Sequence, residues 1–445
     1  MVEKNQELEV LIDGYGSEGQ GIARYNDFVI FVPFALKGEF VKIHIIFVSK
    51  TYAVGKVIEI IKKSQDRVEA ICPYFKKCGG CSLQHVSYQS SLNIKKQIVY
   101  DAITKIASIP QIQVEKVINS DQNYCYRNKS AFPLYLENEK IHLSMYKRMS
   151  HDNVAISQCP ITQKNIMECA LCFENYVNEN LNQKEKEYLK FLVVRNIDQK
   201  LLITIVTNKF ISKFNNFCTY LENNSKIDIN NIGIYQCKKN VDNNVILEGD
   251  LKHVYGFKSI ETDFLGIKVE ISPFSFFQVN TAVMQKLYNK VLENVSNNEI
   301  VVDAYSGAGL MSALISKKAK HVYGIEIVTQ ATENANYLKR VNKIENLTNI
   351  NGDASKILGQ LVQKINGDFT LVVDPPRKGV SEQVLQTICK SLPSKIIYVS
   401  CDPSTLARDL KTLKQFYKIE LVQPFDMFPQ TAHVETVAVL SSKVR

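Results

Sequence analysis

The thiol of Cys401 is a candidate nucleophile, because it lies in the sequence SCDP directly after a run of apolar residues at 396–399. The run has the composition of a buried strand, so the thiol stands just beyond the end of that strand. A lone cysteine is more often a buried structural residue, but loops that follow parallel strands line ligand pockets, and this position favours catalysis. A free thiol has a pKa of about 8.5 and needs local activation to act as a thiolate near neutral pH.

A second candidate site follows the apolar run at 300–302, where Asp303 opens the sequence DAYSGAG. Glycines in such a turn let the backbone approach a ligand closely, and Glu326, at the end of the next apolar run, can accept both hydroxyls of a ribose. The turn lacks the third glycine of the fingerprint that binds a pyrophosphate. The pattern therefore favours a nucleoside cofactor without phosphates, such as S-adenosylmethionine (SAM), over an ordinary tight turn.

Asp374 ends a third apolar run and is followed by two prolines and Arg377. Proline fixes its own φ and biases the preceding residue towards an extended backbone, so we expect the carboxylate to be held rigidly. Beside a SAM site, such a carboxylate can bind the amide-like edge of a substrate base. A rigid loop without a ligand is the alternative interpretation.

A thiol beside SAM has a specific chemical use. Carbon 5 of uracil has no lone pair, but a thiolate that adds to carbon 6 makes carbon 5 nucleophilic towards the SAM methyl group. A general base must then remove the proton from carbon 5, which releases the thiolate. Glu435, in the sequence HVET at 433–436, is the candidate base, and a surface acid on a final strand is the alternative.

Three cysteines within ten residues, Cys72, Cys78 and Cys81, could bind one metal centre around a flexible Gly-Gly, with Cys159 as the fourth ligand. Four sulfur ligands suit zinc or an iron–sulfur cluster. The spacing does not match common zinc patterns, so a [4Fe–4S] cluster is favoured over zinc. Methyl transfer is redox-neutral, so we expect the cluster to organise structure or RNA contacts. Further candidates for the fourth ligand are Cys125, Cys169 and Cys172.

The strands and helices that position these residues fall into three regions. Short β-branched and aromatic runs with glycine turns in residues 1–60 predict a small closed barrel, a shape often used to bind nucleic acid. An amphipathic stretch at 83–109 predicts a helix, and residues 125–270 mix strands with Asn-rich connections. From about residue 271, strands alternate with helices, which predicts a doubly wound parallel sheet with ligands at the carboxyl ends of its strands.

The composition limits the class of protein. A chain of 445 residues suggests about two to four domains at roughly 100–200 residues each. The net charge is +9, and residues 37–96 carry eleven Lys and Arg against four Asp and Glu, which fits a polyanionic partner such as nucleic acid and equally fits a solvated lysine-rich surface. The sequence has no apolar run of membrane-spanning length, no secretory signal and no pattern of a disulfide scaffold, so we expect a soluble cytoplasmic protein.

Taken together, these residues resemble the RNA uracil-5-methyltransferase family, and in particular its iron–sulfur branch that acts on ribosomal RNA. Residues 1–60 look like a TRAM barrel, and the sequence CPYFKKCGGC at 72–81, followed by Gln84 and His85, is similar to the family's cluster motif with Cys159 as the fourth ligand. The sequence YRNK at 126–129 resembles a segment of the central domain near the RNA.

The resemblance also implies roles for residues of the C-terminal half. The sequence FSFFQVN at 274–280 looks like the motif that opens the catalytic domain, and SCDPSTLARD at 400–409 is similar to the nucleophile motif, which makes Cys401 the nucleophile and Glu435 the base. Asp374 would lie between SAM and the target base. Leu310 departs from the pattern, because relatives with this cluster often have an asparagine there that touches SAM. The implied SAM contacts are Gln278, Tyr305, Glu326, Asp353 and Asp374.

The sequence thus predicts an α/β protein of three parts. These are a TRAM-like (OB-like) β-barrel at 1–62, a central α+β domain with the metal cluster at 63–270, and a Rossmann-like class I methyltransferase domain at 271–445, on which residues 83–115 pack. We expect a monomer that methylates carbon 5 of a looped or flipped uridine in 23S rRNA before or during ribosome assembly, with no membrane partner. The alternatives are a methyltransferase for the T-loop uridine of tRNA and a non-catalytic RNA-binding iron–sulfur protein.

Overall fold

The computed structural model of the protein describes residues 2–241, 243–365 and 367–443. In these ranges, none of the helices combines the length and the apolar character needed to cross a membrane.

The N-terminal region is a closed barrel of five strands in the order β1-β2-β3-β5-β4. Alternate residues of β1, namely Leu8, Val10 and Ile12, point into its apolar interior, as expected for strands with one buried face. The small barrel predicted from the sequence is therefore confirmed. Its strands are β1 (Glu7–Tyr15), β2 (Gly21–Tyr25), β3 (Phe28–Val32), β4 (Phe40–Val48) and β5 (Tyr52–Lys62).

A buried ion pair joins the barrel to residues 63–87, which lie between β5 and the next helix and which we call the cysteine segment. Arg67 donates to both carboxylate oxygens of Glu39, at 2.6 and 2.7 Å, and to the carbonyl oxygen of Phe34 at 2.8 Å. Glu39 is fully buried, and breaking such a pair leaves an uncompensated charge at a cost of about 3–5 kcal/mol. The pair therefore holds the start of the cysteine segment against the barrel.

Helix α1 (Tyr88–Ile106) follows the cysteine segment but packs on the C-terminal region. Its residues Val99 and Ile103 share an apolar core with Leu406 and Leu410 of helix α10 (Pro403–Leu413). At the end of α1, Lys414 donates to the carbonyl oxygens of two adjoining residues, at 2.7 and 3.0 Å. The amphipathic pattern of the sequence correctly indicated this helix.

The central region contains a seven-stranded sheet in the order β12-β11-β10-β9-β6-β7-β8. Helices α2 and α4 cover one face of this sheet and form an apolar core with it. The strands are β6 (Lys129–Glu137), β7 (Lys140–Tyr146), β8 (Asn153–Ala155), β9 (Leu189–Ile197), β10 (Lys200–Thr207), β11 (Ile232–Lys238) and β12 (Asp250–Gly256). The α-helices are α2 (Lys164–Asn180), α3 (Gln183–Lys186) and α4 (Phe217–Asn224), and two 3₁₀ turns lie at Ser212–Asn216 and Ile229–Asn231.

A β-hairpin and a second seven-stranded sheet form the C-terminal region. The sheet has the order β17-β16-β15-β18-β19-β21-β20, and its first five strands run parallel. The hairpin strands are β13 (Ile260–Phe264) and β14 (Ile267–Ile271). The sheet strands are β15 (Ile300–Ala304), β16 (His321–Glu326), β17 (Leu347–Asn351), β18 (Phe369–Val373), β19 (Lys395–Ser400), β20 (Tyr417–Phe425) and β21 (Glu435–Ser442). The helices that complete the region are α5 (Thr281–Glu293), α6 (Leu310–Ile315), α7 (Thr329–Val341), α8 (Ala354–Lys364) and α9 (Glu382–Ser391).

The chain order reverses at β15, which lies between β16 and β18, and such a switch point opens a crevice at the carboxyl ends of the strands. The parallel, doubly wound sheet predicted from the sequence is thus confirmed. Strand β21 runs antiparallel to both β19 and β20. Because it is reversed, its first residue lies at the same edge of the sheet as the last residues of the parallel strands.

Candidate active site

Cys401 lies between β19 and α10 in a turn that is fixed by its own hydrogen bonds. The Asp402 carboxylate accepts from the backbone N–H groups of Ser404 and Thr405, at 2.8 and 3.1 Å, and so caps α10. The hydroxyl of Ser400 donates to the Asp402 carbonyl oxygen at 3.0 Å. Cys401 is half-buried at the carboxyl end of β19, where the sequence predicted it. Its backbone is held on both sides.

The antiparallel pairing of β19 with β21 brings the predicted base beside this thiol. Ser400 is in register with Thr436, so Cys401 and Glu435 lie at the same end of the ladder. Glu435 is only 5% exposed. Burial, followed by the charges of Glu435 and Asp374, raises the pKa of the Cys401 thiol to about 11, while the charge of Arg377 opposes that rise. Cys401, Asp374 and Glu435, which the sequence placed in three separate motifs, therefore lie close enough to interact electrostatically.

Acidic groups are concentrated at this edge of the sheet. Burial, followed by the charge of Asp374, raises the pKa of Glu435 to about 8, and the charge of Arg377 opposes that rise. Asp374 follows β18 and is exposed, and desolvation by the surrounding protein raises the pKa of its carboxyl to about 7. Burial also raises the pKa of Asp303 to about 7, against a hydrogen bond from Ser312. Such a cluster of carboxyls favours a cationic ligand.

The turn after β15 holds Glu326 in a fixed position. The backbone N–H of Gly307 donates to one carboxylate oxygen of Glu326 at 3.0 Å, and that of Val328 donates to the other at 2.7 Å. Tyr305 adopts a φ of 73°. Gly309 has a φ of 81°, and a Cβ on it would lie 2.7 Å from the Cβ of Ala335. Each Glu326 oxygen keeps further lone pairs, which can accept hydroxyl groups.

The remaining predicted SAM residues lie in different surroundings. Gln278 is half-buried between β14 and α5, and its carbonyl oxygen accepts from the side chain of Asn128 at 3.0 Å. Asp353 is exposed and caps α8, accepting from the backbone of Ser355 at 2.8 Å, a hydrogen bond that lowers its pKa. Leu310 opens α6 and lines a cavity beside Phe276, which is 79% exposed.

All four predicted metal ligands line one cavity of about 180 Å³. Burial, with smaller contributions from the charges of Cys159, Cys78 and Cys72, raises the pKa of Cys81 to about 12, and a hydrogen bond with Gln84 opposes that rise. The other fourth-ligand candidates in helix α2, Cys169 and Cys172, instead pack in the apolar core of the central sheet. Across the described ranges, no group of three or more His, Cys, Asp or Glu side chains comes close enough to hold a single metal ion.

The sequence matches two known families, tRNA (Uracil-5-)-methyltransferase over residues 87–443 and the TRAM domain over residues 2–58. The chain belongs to the tRNA (uracil-5-)-methyltransferase family. It is 39% identical to an uncharacterized RNA methyltransferase of Clostridium tetani, covering 99% of this chain and 97% of that protein. It is 36% identical to an uncharacterized RNA methyltransferase of Clostridium acetobutylicum, covering 99% and 98% of the two chains.

Among solved structures, the chain is similar to the Pyrococcus abyssi tRNA (uracil-54, C5)-methyltransferase in complex with S-adenosyl-L-homocysteine. The TM-score is 0.74 at 25% identity, and the match covers 97% of this chain and 100% of that one. The predicted family, the TRAM domain and the class I methyltransferase fold are therefore confirmed. The protein is an RNA (uracil-5-)-methyltransferase that uses SAM.

Two features of this uracil-5-methyltransferase site were missed from the sequence. Ile327 and Val328 directly follow Glu326 and leave two large apolar side chains 64% and 55% exposed beside it in the chain. The sequence could have shown this feature, because two large apolar residues directly follow an acid at the end of a strand. Arg377 was noted as part of its motif without a role, yet its charge opposes the pKa rise of both Cys401 and Glu435.

We predict that Glu435→Gln stabilises the protein increasingly between about pH 5 and pH 8. The folded pKa of about 8 lies above the ordinary value of 4.5, so wild-type stability falls as the pH rises through this window, by at most about 1.4 kcal/mol per pH unit. Melting temperatures of both proteins, measured without SAM or RNA, test this.

Asp353→Asn is the matched control for this pH series. The pKa of Asp353 is lowered, so its stabilising effect is lost only in acid, and the difference from wild type should stay constant above about pH 5. A melting-temperature difference for Glu435→Gln that did not change with pH would contradict a buried carboxyl at this position.

Proposed function

We propose that this enzyme forms 5-methyluridine in 23S rRNA through a covalent bond between Cys401 and carbon 6 of the uracil. The observation that carries the proposal is the meeting of Cys401 and Glu435 at one end of the β19–β21 ladder, with Asp374 beside them. A nucleophile directly after one strand and a base at the start of its neighbour can act on two adjacent carbons of a single ring. Nitrogen methylation would leave this thiol without a role.

In the proposed reaction, SAM supplies the methyl group to carbon 5. Cys401 adds as a thiolate to carbon 6, and the electron pair of the ring double bond becomes available at carbon 5 for attack on the methyl group. After methyl transfer, Glu435 takes the proton from carbon 5, the ring double bond re-forms, and the bond from carbon 6 to sulfur breaks. The products are 5-methyluridine, S-adenosylhomocysteine, the free thiol anion and a protonated Glu435, which returns its proton to solvent, so atoms and electrons balance.

The electrostatics of the site support this division of roles. The raised pKa of Glu435 makes it a stronger base than an ordinary carboxylate, and a cationic sulfonium nearby favours its ionised form. Arg377 favours the thiolate of Cys401. We assign to Asp374 the binding of the amide-like edge of the uracil, and to Gln278, Tyr305, Glu326 and Asp353 contacts with SAM.

The barrel and its surroundings support RNA binding. Three aromatic residues of the barrel lie next to one another, with ring centroids 5.5 Å apart for Phe31 and Tyr52 and 5.9 Å apart for Phe47 and Tyr52. Phe31 and Tyr52 line a cavity of about 840 Å³ that also reaches Arg148 and His433, two residues before Glu435. Aromatic side chains of this kind stack on unpaired bases. RNA bound along the barrel would therefore reach the active site.

We further propose that Cys72, Cys78, Cys81 and Cys159 bind a [4Fe–4S] cluster. The four thiols line one cavity whose volume suits a group larger than one ion. Four sulfur ligands suit zinc or an iron–sulfur cluster, and the spacing of these cysteines does not match common zinc patterns. The proposal of a cluster rather than zinc rests on that spacing. Bound there, the cluster would fix the fold of the cysteine segment.

A tRNA T-loop uridine is the second candidate substrate. The Pyrococcus abyssi relative is named for uridine 54 of tRNA, and it matches 97% of this chain, barrel included. The barrel thus does not favour rRNA over tRNA, and the proposal of 23S rRNA rests on the cysteine motif. The third interpretation of the sequence is a non-catalytic RNA-binding iron–sulfur protein. It does not explain why Cys401 and Glu435 lie at the same end of the β19–β21 ladder.

RNA containing 5-fluorouridine should become covalently attached to the wild-type enzyme in the presence of SAM, because fluorine at carbon 5 cannot be removed as a proton. Cys401→Ala should abolish the adduct on a denaturing gel, whereas Cys389→Ala, a half-buried cysteine in α9, should retain it. Glu435→Gln should form the adduct with ordinary RNA and resolve it about 10²–10⁴-fold more slowly. Trapping that persists in Cys401→Ala would show that the nucleophile is a different residue.

The RNA target can be decided by mapping 5-methyluridine in cells with and without this enzyme. We expect the modification to disappear from 23S rRNA and to remain in the T-loop of tRNA. Purified enzyme should then restore it on rRNA isolated from the deletion strain. Loss from tRNA alone would replace the rRNA proposal with the T-loop alternative.

Protein purified without oxygen should be brown and contain about four iron atoms and four labile sulfides per chain. Cys159→Ala should lose the colour, whereas Cys169→Ala should keep it, because Cys169 lies in the core of the central region rather than at the cavity. Colourless protein loaded with zinc would refute the cluster and leave the methyl-transfer proposal standing.

A further inference from the structure

The loop between β20 and β21, residues 426–434, leads directly into Glu435, and we call it the base loop. Four consecutive carbonyl oxygens of the base loop, at 427–430, accept hydrogen bonds from segments outside the β20–β21 pair. A loop of this length is held in place by its backbone hydrogen bonds when they are satisfied by rigid neighbours.

The first part of the base loop is tied to helix α1 by buried charges. Lys95 and Asp426 are both fully buried and form an ion pair, and the Tyr88 hydroxyl donates to the other Asp426 oxygen at 2.7 Å. Lys95 also donates to the carbonyl oxygen of Phe428 at 2.9 Å. This end is therefore anchored by the fold itself.

The middle of the loop is held by two residues from the sequence motifs. Tyr126, of the YRNK motif, is 5% exposed and donates its hydroxyl to the carbonyl oxygen of Pro429 at 3.1 Å. Asn280, of the FSFFQVN motif, donates to that of Met427 at 3.3 Å. The tyrosine side chain thus faces the active-site loop within the protein.

The last part of the loop is bound by the residues that follow Cys81. The backbone N–H groups of Ser82 and Leu83 donate to the carbonyl oxygen of Gln430, at 3.1 and 2.9 Å. The Ser82 hydroxyl accepts from the backbone N–H of Ala432 at 2.9 Å. Gln430 adopts a φ of 69°, a strained backbone that these bonds hold.

We propose that Ser82 and Tyr126 are positioning residues for Glu435, which they place for removal of the carbon 5 proton. This inference rests on the proposed function, because it takes Glu435 as the base. A general base must lie within about 2.6–3.2 Å of its proton, and a displacement of about 1 Å can cost on the order of 10²-fold in rate. Ala432 precedes Glu435 by three residues, so its anchor at Ser82 controls where β21 begins.

The role is selective because Cys401 is held independently of the base loop. Its turn is fixed by Ser400 and by the cap of α10 at Asp402. Loosening the base loop therefore leaves attack by the thiol and methyl transfer intact and slows the later proton removal. The specific consequence is accumulation of a covalent enzyme–RNA adduct, which a general loss of stability does not produce.

The test uses the full-length Ser82→Ala, Tyr126→Phe and double variants with SAM and unmodified rRNA from the deletion strain. Acid-quenched time courses on denaturing gels give the rates of adduct formation and adduct resolution. We expect formation within about twofold of wild type and resolution about tenfold slower in the double variant. Ser82→Thr keeps the hydroxyl and should restore resolution.

Ser91→Ala is the matched control, because the buried Ser91 hydroxyl bonds to the Tyr88 carbonyl oxygen within α1 and not to the base loop. It should resolve the adduct like wild type. If Ser82→Ala and Tyr126→Phe also resolve it normally while Glu435→Gln stalls, the inference is wrong and the proposed function stands. Equal loss of formation and resolution would indicate a merely structural role. If Glu435→Gln accumulates no adduct, Glu435 is not the base, and this inference is wrong together with that part of the proposed function.

Discussion

The antiparallel pairing of β21 with β19 is the contact on which the rest of the site depends. In a sheet of parallel strands only carboxyl ends meet at the ligand-binding edge. Reversal of β21 brings its first residue, Glu435, to that edge, beside the turn that carries Cys401. The chain must therefore pass from β20 through the base loop before it can enter β21. Every element that holds this loop therefore also affects where Glu435, the proposed base, lies.

This arrangement lowers the stability of the folded protein, because it brings carboxyl groups together and removes them from water. Asp303, Asp374 and Glu435 all have raised pKa values, so the folded protein holds carboxyls in surroundings that disfavour their charge. Such groups reduce stability, and sites of this kind are where proteins accept that cost for function. In the function that we propose, a bound sulfonium cation would relieve this repulsion and so couple the binding of SAM to the ionisation of Glu435.

The cysteine segment connects the three regions of the molecule. The Glu39–Arg67 ion pair holds its beginning on the barrel, and Cys81 lies at the cavity shared by the four thiols. Ser82 then bonds to the base loop of the catalytic region. A redox-neutral enzyme thus has a structural reason to keep this segment rigid, because one short stretch contacts the barrel, the thiol cavity and the approach to the base.

The sequence alone predicted the type of each region and proposed roles for individual residues. Residue type and strand-end position made Cys401 the predicted nucleophile and Glu435 the predicted base, and β-branched runs with glycine turns correctly predicted the barrel, because these signals are local. Only the tertiary structure decided which residues meet. The reversed β21, the return of α1 to the catalytic core, and the bonds from Ser82 and Tyr126 to the base loop join residues as many as 350 positions apart along the chain. No local pattern encodes such pairings, because they arise when separate elements bury their apolar faces and satisfy their backbone hydrogen bonds against one another.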